Sequence, residues 1–510
     1  MSSKKIRVRF APSPTGGLHL GGVRTVLYNF LFARRHGGDF ILRIEDTDQS
    51  RYVPGAEEYI MDCLEWCGLI PDESPSAGGA FGPYRQSERK EIYRGHAEQL
   101  VAQGHAYYAF DTPAELEEMR ARFRTDENPS PQYDAKTRGH MRNSLTMPEA
   151  EVRSLIAAGT PHVIRILMPE NEVVEFQDMV RGKVEFAASG SDDKVLLKAD
   201  GMPTYHLAVV VDDHLMQITH AFRGEEWLPS APVHILLWRY LGWADHMPQW
   251  AHLPLILKPD GHGKLSKRDG DRLGFPVFAM NWTDPVSGEL THGFREMGFL
   301  PEAFVNMLAM LGWNDGSGRE IFSLEEMTEV FSVERVHKGG ARFDFEKAKW
   351  FNAEWIKRSD TERLLPDVKR IFTEKGLQAD DDMLVKVIPM VKDRCVLLND
   401  FYTQGAFFFR KPDTYDLDAV RPKWNDEKKL FFGSLRDKFA RLENWDTAGI
   451  EACFRDATAA AGIKPGELQL PFRIMLVGGK FGPPVFEIAS VIGQAATCSR
   501  IDEGLSAFGA

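Results

Sequence analysis

Cysteine is scarce in this 510-residue sequence, which contains five, at positions 63, 67, 395, 453 and 498. Residues so few and so widely spaced exclude a disulfide framework, and reduced thiols are expected. Cys63 and Cys67 are one helical turn apart on an apolar stripe. The pattern predicts core packing for both rather than a metal or redox role.

Long apolar runs are also missing, since no stretch approaches the roughly 18 residues needed to cross a bilayer. Residues 1–5 lead into a strand pattern without the apolar core of a signal peptide, so a cytoplasmic location without membrane contact is expected. Basic residues are the minority: 62 Lys and Arg against 74 Asp and Glu give a net charge of −12. This excludes a surface coated in positive charge for general nucleic-acid binding but leaves a local RNA groove open.

The stretch from Arg9 to Gly22 links an apolar strand pattern at 6–10 to a helical pattern that begins at Val23. A Pro/Gly loop in this place, with His19 at the mouth of the helix, is typical of a site where a helix N-terminus binds phosphate. The alternative is a tight turn in which the glycines serve packing alone. For one Gly-rich turn, the two interpretations have about equal weight.

The other patterns predict an α/β fold with a doubly wound parallel sheet, an inserted α+β domain and an all-α C-terminal part. After a loop at 71–85 and a basic loop at 259–268, the periodicity from Pro301 onward is almost only helical. The predicted strands are 40–48, 107–110, 162–167, 172–176, 205–213 and 217–222, and the predicted helices are 54–68, 92–103 and 226–240.

Five segments in a fixed order carry a resemblance to a known family. Pro12–Gly21 resembles the HIGH signature of class I aminoacyl-tRNA synthetases in its glutamate-specific form, and Lys264–Arg268 resembles the matching KMSKS loop. Segments 43–48, 82–89 and 204–214 extend the resemblance. The sequence thus resembles bacterial-type glutamyl-tRNA synthetases over residues 1–345, and the helical remainder matches in length and texture.

The resemblance implies a class I Rossmann-type sheet and a two-step reaction. Glutamate and ATP give glutamyl-adenylate, and the 2′-hydroxyl of the terminal adenosine of tRNA(Glu) then takes the glutamyl group; in this family activation typically waits for tRNA. The implied segments are 1–84 and 204–258 for the two halves of the catalytic domain, 85–203 for an inserted domain that binds the tRNA acceptor end, 259–345 for a stem-contact region with the KMSKS-like loop, and 346–510 for a helical anticodon-binding region.

The resemblance also implies the glutamate ligands, which are Arg9, Ser13, Glu45, Tyr205 and Arg223. Arg9, joined by Tyr205, looks like the residue that pairs with the side-chain carboxylate, and Glu45 looks like the acceptor of the α-ammonium group. A guanidinium meets a carboxylate with two parallel hydrogen bonds, which the amide of glutamine cannot match. No editing domain is then required.

For ATP, the resemblance implies contacts from Thr15, Gly16, His19, Gly21, Ser266 and Lys267, with catalytic roles for His19, Lys264 and Lys267. His19 looks like a donor to the phosphates, and Lys267 looks like the cation that neutralises the leaving pyrophosphate. Interactions that strengthen as charge moves to the leaving group lower the barrier itself. Mg²⁺ is expected with ATP, held mainly by phosphates and water.

The sequence departs from the family pattern at two places. Position 209 is Val where some relatives carry Asn as a substrate contact, and His206 is the candidate replacement. Some members have a Cys/His zinc site in the inserted domain, whereas this chain has no cysteine between 67 and 395, so no zinc is expected.

For tRNA, the resemblance makes Arg394 a candidate reader of the last anticodon base, and Tyr107 and Tyr108 are possible stacking platforms or plain core residues. A monomer is expected. Two other classes of protein fit the sequence less well. A nucleotidyltransferase that uses no tRNA does not need the helical tail, and a non-catalytic RNA-binding relative does not need to retain Arg9, His19 and Lys267.

Overall fold

The computed structural model describes residues 5–509. They form two compact units, one of residues 5–296 and 304–345 and the other of residues 297–303 and 346–509. Within this described range, no helix is long and apolar enough to cross a membrane.

The first unit holds the strands. They are β1 (Arg7–Phe10), β2 (Asp39–Leu42), β3 (Ala106–Ala109), β4 (Val163–Ile166), β5 (Val173–Asp178), β6 (Gly182–Ala187), β7 (Val195–Leu197), β8 (His220–Gly224), β9 (Gln249–Leu253), β10 (Ile256–Leu257), β11 (Trp282–Thr283), β12 (Leu290–Thr291) and β13 (Ala341–Arg342). The main sheet has the order β2-β1-β8-β9-β5-β6, and β3-β4-β7 form a separate antiparallel sheet.

The α-helices up to residue 330 are α1 (Leu20–Arg35), α2 (Ala56–Trp66), α3 (Lys90–Ala102), α4 (Pro113–Phe123), α5 (Glu149–Ala157), α6 (Tyr205–Leu215), α7 (Ala231–Tyr240), α8 (Lys267–Leu273), α9 (Phe294–Met297), α10 (Pro301–Met310) and α11 (Leu324–Val330). Those that follow are α12 (Phe345–Arg358), α13 (Thr361–Glu374), α14 (Asp381–Val391), α15 (Asp400–Gly405), α16 (Leu417–Val420), α17 (Asp426–Phe439), α18 (Thr447–Ala461), α19 (Pro465–Val477), α20 (Val485–Ile492) and α21 (Gln494–Phe508).

Strand β1 is central to the main sheet, and all four of its residues are buried. It pairs in parallel with β2 on one side and β8 on the other, as expected for a strand covered on both faces. The chain leaves β1 through α1 towards β2, whereas β8 lies on the opposite side. A crevice therefore opens at the carboxyl ends of β1 and β8, where ligands bind in open α/β sheets.

The prediction of a strand at 205–213 is wrong, because this segment is helix α6. Its seven consecutive residues from Leu207 to Asp213 are all buried. A helix buried on every side has the same continuous apolar run as a parallel strand, so periodicity cannot separate the two. A helix, not a strand, therefore carries Tyr205 to the crevice.

Strands β5 and β6 belong to the main sheet, although the sequence analysis assigned residues 173–187 to the inserted segment. β5 pairs in parallel with β9, and β6 closes the edge as an antiparallel hairpin. The sheet is therefore mixed. The short apolar strand patterns in this region did not indicate which sheet they would join.

Other predicted elements are confirmed with shifted ends. Helix 54–68 is α2, helix 92–103 is α3, and residues 225–230 form a 3₁₀ turn ahead of α7. The strand predicted at 217–222 is β8. Cys63 on α2 and Cys67, which directly follows this helix, are buried, as the pattern predicted, and burial raises the pKa of both thiols.

Tyr107 on β3 is a core residue rather than a stacking platform. It is 1% exposed, and its hydroxyl donates to Asp193 Oδ2 at 2.6 Å. The neighbouring Tyr108 is half-buried and packs edge-on against His162.

In the second unit, the helices pack around a large apolar core that includes Phe432, Phe454 and Phe472. The prediction of an all-helical C-terminal region is confirmed from α12 onward. Arg394 ends a 3₁₀ turn after α14 and is exposed.

Candidate functional site

The crevice at the carboxyl end of the sheet contains a cavity of about 1100 Å³. It brings together loops that are far apart in sequence, since parallel strands end at one edge. The lining segments include 9–15 after β1, 45–52 after β2, 203–205 at the start of α6, 222–227 at the end of β8, 254–256 after β9 and 264–266 in the basic loop.

His19 caps helix α1 and faces the cavity. Its Nδ1 accepts a hydrogen bond from the Gly21 amide at 3.2 Å, so in the neutral imidazole the proton is on Nε2. Burial, together with the nearby Lys264, lowers the pKa of His19 to about 4. The buried Nε2 makes no hydrogen bond within residues 5–509, which leaves one N–H donor available to a ligand.

The first-turn amides of α1 are already occupied. Leu20 donates to the Val277 carbonyl, and Gly22 and Val23 donate to the His19 carbonyl. The anion-binding capacity predicted for this helix mouth therefore resides mainly in the imidazole. Thr15 and Gly21 line the cavity beside it, and Gly16 adopts a φ of +141° that favours glycine.

Arg223, at the end of β8, has its donors divided between the protein and the cavity. Nε donates to His252 Nε2 at 2.9 Å, and NH1 lies 3.0 Å from His234 Nδ1 and 3.2 Å from the Tyr205 hydroxyl. The buried NH2 group has no partner in the described part of the chain. Arg223 lines the cavity, and its NH2 group keeps two N–H hydrogens without a partner.

Tyr205 begins α6 and is positioned to donate a further hydrogen bond. Its oxygen accepts from Arg223, so its own O–H hydrogen remains available. Burial raises the pKa of Tyr205, which keeps the hydroxyl protonated. Together, Arg223 and Tyr205 form a donor-rich end of the cavity suited to a carboxylate.

Arg9 on β1 makes a bidentate ion pair with Asp213, with Nε and NH2 at 3.0 and 3.1 Å from the carboxylate, and NH1 donates to the Phe222 carbonyl at 3.3 Å. Burial opposes ionisation of Asp213, but Arg9 and Arg43 outweigh it and lower the pKa of this carboxyl group. Three of the five N–H groups of Arg9 are thereby engaged within the protein.

Glu45 follows β2 and accepts from Arg43 NH2 at 3.0 Å through Oε1. Burial raises the pKa of Glu45 to about 7, against the opposing effect of Arg43. Ser13 also lines the cavity and is exposed, and its segment lies beside Glu45, since the Glu45 amide donates to the Pro12 carbonyl at 2.9 Å. This part of the site therefore supplies an acceptor of tunable charge next to a hydroxyl group.

The basic loop contributes unequally to the cavity. Lys264 lines it and pairs with Glu226 Oε1 at 2.6 Å. Ser266 also lines it, but its hydroxyl donates to Asp269 Oδ2 at 2.5 Å in the capping box of α8. Lys267 does not line the cavity, and its Nζ lies 3.4 Å from Glu289 Oε1.

At position 209, an apolar side chain forms part of the cavity wall. Val209 is buried and lines the cavity from α6. His206 is not among the lining residues, and its Nδ1 is 3.2 Å from His234 Nε2. His206 therefore touches the site through His234 rather than as a direct replacement for an Asn at position 209.

A metal cage of protein ligands is not found in the described chain: residues 5–509 contain no group of three or more His, Cys, Asp or Glu side chains that could hold an ion. Polar groups with hydrogen-bonding capacity to spare in the cavity belong to His19, Arg223, Tyr205 and Glu45.

Several residues that hold Arg9 and Arg223 in place were not predicted from the sequence. Asp213 belongs to a segment that resembles the family, yet its pairing with Arg9 depends on α6 being a helix. Asp178, His234 and His252 lie behind Arg223 and come from three separate elements. No local spacing connects them.

Comparisons with known proteins agree with this geometry. Residues 5–350 match the model for tRNA synthetases class I (E and Q), catalytic domain, and residues 360–505 match an anticodon binding domain. A fold and cavity of this kind define a class I aminoacyl-tRNA synthetase.

Relatives narrow the assignment. The chain is 50% identical to the glutamate–tRNA ligase of Porphyromonas gingivalis over 510 residues, covering 100% of both chains, and 51% identical to that of Phocaeicola vulgatus over 502 residues, covering 98% of each. The crystal structure of a glutamate tRNA ligase from Elizabethkingia meningosepticum in complex with its amino acid matches with a TM-score of 0.94 at 48% identity, covering 99% of this chain and 100% of that one. The chain belongs to the glutamate–tRNA ligase family.

Proposed function

We propose that the cavity holds L-glutamate and ATP side by side, with the glutamate side chain at the Arg223 end and the triphosphate at the His19 end. The observation that carries this proposal is the unpartnered, buried NH2 of Arg223, whose neighbouring NH1 donates to the Tyr205 hydroxyl at 3.2 Å. A planar pair of N–H groups and an O–H group can surround one carboxylate.

Discrimination against glutamine follows from the same donors. The amide nitrogen of glutamine would bring further N–H groups against those of Arg223, and the guanidinium would be left without a counter-charge. Sites built for one polar group reject an analogue that cannot pair with it by roughly 10⁴-fold or more. Arg9 adds positive charge behind this end, and the unused N–H groups on its guanidinium extend the carboxylate receptor.

At the other end of the substrate, ionised Glu45 accepts from the α-ammonium group and Ser13 contacts the main-chain atoms. The α-carboxylate is then free to attack the α-phosphorus of ATP, forming the acyl–phosphate bond while the bond to the leaving pyrophosphate breaks. His19 donates its Nε2–H to the phosphates, and neutral imidazole suits this role because it needs no proton transfer.

Lys264 and Lys267 supply positive charge for the departing pyrophosphate, and Thr15, Gly16, Gly21 and Ser266 border the nucleotide. Since Lys267 is held by Glu289 outside the cavity, the basic loop has to move for this contact to form. Mg²⁺, bound with ATP, would neutralise phosphate charge; hard oxygen ligands of phosphate and water suit it.

In the second step, the terminal 2′-hydroxyl of tRNA(Glu) attacks the glutamyl carbonyl, an ester bond forms and AMP leaves. We assign the acceptor end to residues 85–203, stem contacts to 259–345 and the anticodon to 346–510, with Arg394 as a base reader. The enzyme is proposed to act as a cytoplasmic monomer, in line with its part in protein synthesis.

The decisive experiment measures aminoacylation of tRNA(Glu) with glutamate and with glutamine, together with ATP–pyrophosphate exchange in the presence and absence of tRNA. Arg223→Gln is expected to raise KM for glutamate at least about tenfold, since hydrogen bonds to charged groups contribute about 1.5–3 kcal/mol. An unchanged KM for glutamate in this variant would refute the carboxylate assignment.

A further inference from the structure

Behind Arg223 lies a row of buried polar side chains that extends away from the cavity. His252 on β9 is 0% exposed, and its Nδ1 is 2.6 Å from Asp178 Oδ2 at the end of β5. His234 on α7 contacts NH1 of Arg223 from the other side. Each side chain comes from a different element, and together they surround the inner edge of the guanidinium.

The protons in this row have one consistent arrangement. A guanidinium only donates, so His252 must accept through Nε2 and carry its proton on Nδ1, which then donates to Asp178. His234 likewise accepts through Nδ1, so its Nε2–H faces His206 Nδ1 at 3.2 Å. Both imidazoles are therefore neutral, and burial together with the adjacent Arg223 lowers the pKa of His234 and of His252.

Asp178 is itself immobilised by the backbone. Its Oδ1 accepts from the amides of Val180 and Arg181 at 3.0 and 2.9 Å, and its Oδ2 accepts from the His252 amide at 3.1 Å. Burial opposes ionisation of Asp178, but these bonds and the one from His252 outweigh it and lower the pKa. The carboxylate is thus a fixed acceptor that determines which tautomer His252 adopts.

We propose that Asp178, His252 and His234 are positioning residues that set the selectivity of the site for an acidic over an amide side chain. They occupy Nε and one hydrogen of NH1, while Tyr205 occupies the other, so NH2 is the group left to meet the substrate. This inference rests on the proposed role of Arg223 in binding the glutamate carboxylate.

The test compares His252→Leu, which removes the acceptor, with His252→Gln, which keeps an acceptor and a donor on one side chain. The leucine variant is expected to raise KM for glutamate about tenfold or more, to leave KM for ATP within about twofold, and to reduce the preference for glutamate over glutamine. The glutamine variant is expected to recover a substantial part of the loss.

Asp178→Asn gives a second test that depends on the proton positions rather than on packing volume. If the asparagine amide faces His252 Nδ1, the imidazole must carry its proton on Nε2, which places two donors against each other at Arg223. If instead its oxygen faces Nδ1, the amide opposes the two backbone N–H groups. Either arrangement removes the fixed acceptor that holds the His252 proton on Nδ1, directly in the first case and by displacing the side chain from its backbone anchors in the second, so a selective rise in KM for glutamate is predicted.

His220→Gln is the matched control. Like His252, His220 is a buried histidine on a strand of the main sheet, in its case β8. Its side chain pairs with the Thr219 hydroxyl rather than with Arg223. It should change the melting temperature at most. Equal rises in both KM values for His252→Leu without recovery in His252→Gln, or an unchanged glutamate KM in folded Asp178→Asn, would overturn the proposal. No effect of Arg223→Gln would instead refute the underlying carboxylate assignment.

Discussion

At the scale of single residues, the charge of Glu45 links substrate binding to pH. Because burial raises its pKa to about 7, the carboxyl group of the free enzyme ionises across the neutral range. The ionised carboxylate accepts a hydrogen bond from the ammonium group and balances its charge, whereas the protonated carboxyl group has no charge to offer. We therefore expect kcat/KM for glutamate to rise with pH through about 7, as measured by aminoacylation, since this quantity reports the free enzyme.

The variant Glu45→Gln separates this group from other titrations. It should lower kcat/KM for glutamate at pH 8, and its profile should be flat near neutrality. His19 titrates near pH 4 and does not contribute in this window. A variant profile that keeps the wild-type inflection would show that a different group titrates.

His19 combines a structural and a catalytic task on two nitrogens, so two substitutions can separate them. His19→Asn keeps a side-chain oxygen to cap α1 but removes the Nε2–H donor, whereas His19→Ala removes both. Both variants should lower kcat by about 10²–10³-fold in ATP–pyrophosphate exchange. Only the alanine variant should lose about 1 kcal/mol in thermal unfolding.

The sequence predicted several residues that line the cavity, but it did not predict the residues that hold those side chains in place. Signatures near Arg9, Glu45, Tyr205 and Arg223 indicated positions that the structure brings to one cavity. The supporting His252 could not be predicted, because its contact with Arg223 depends on the order of strands in the folded sheet.

At the scale of elements, α6 shows why the sheet was only partly predictable. Its continuous apolar run is compatible with a strand or with a buried helix, and its packing against α3 and α7 distinguishes the two. β1 and α1 were predictable because their periods and glycine breaks were unambiguous, whereas the strand predicted at 40–48 ends as β2 at Leu42 and the acidic segment 45–48 is loop. The strand predicted at 172–176 corresponds to β5, but neither its partner β6 nor its place at the edge of the main sheet was predicted, since strand pairing is non-local.

In the basic loop, Lys264 and Ser266 line the cavity, but Lys267, the first residue of α8, does not. Lys267 is paired with Glu289 next to β12, and both side chains are at least one-third exposed, so the pair contributes at most about 1 kcal/mol. Lys267→Ala should cut pyrophosphate exchange about 10²-fold or more and leave glutamate binding by calorimetry nearly intact.

Glu289→Gln is the matched control for the loop. It removes the ion pair but keeps Lys267, so exchange should be retained at the wild-type level or above. If Glu289→Gln lost as much activity as Lys267→Ala, the ion pair itself, and not the lysine acting at phosphate, would be the functional feature.

At the scale of the whole molecule, acidity and RNA binding are compatible because the charge is unevenly distributed. Residues 346–510 carry 25 basic and 25 acidic side chains, so the remaining 37 basic and 49 acidic ones account for the full −12. A neutral helical unit can approach tRNA without the repulsion that a uniformly acidic surface would create. Anticodon reading then depends on individual exposed cations.

Arg394 is the candidate for that task. It is exposed at the end of a 3₁₀ turn and close enough to Arg473 to help lower the pKa of that half-buried guanidinium, after burial itself. Arg394→Ala should reduce discrimination between tRNA transcripts that differ in the last anticodon base by about 1–3 kcal/mol, while pyrophosphate exchange at saturating tRNA is unchanged. Arg455→Ala, an exposed arginine paired with Glu451 on α18, is the control and should affect all transcripts equally. Charging rates for tRNA(Glu) and tRNA(Gln) transcripts give the readout, and a base preference that persists in Arg394→Ala would remove Arg394 as the reader.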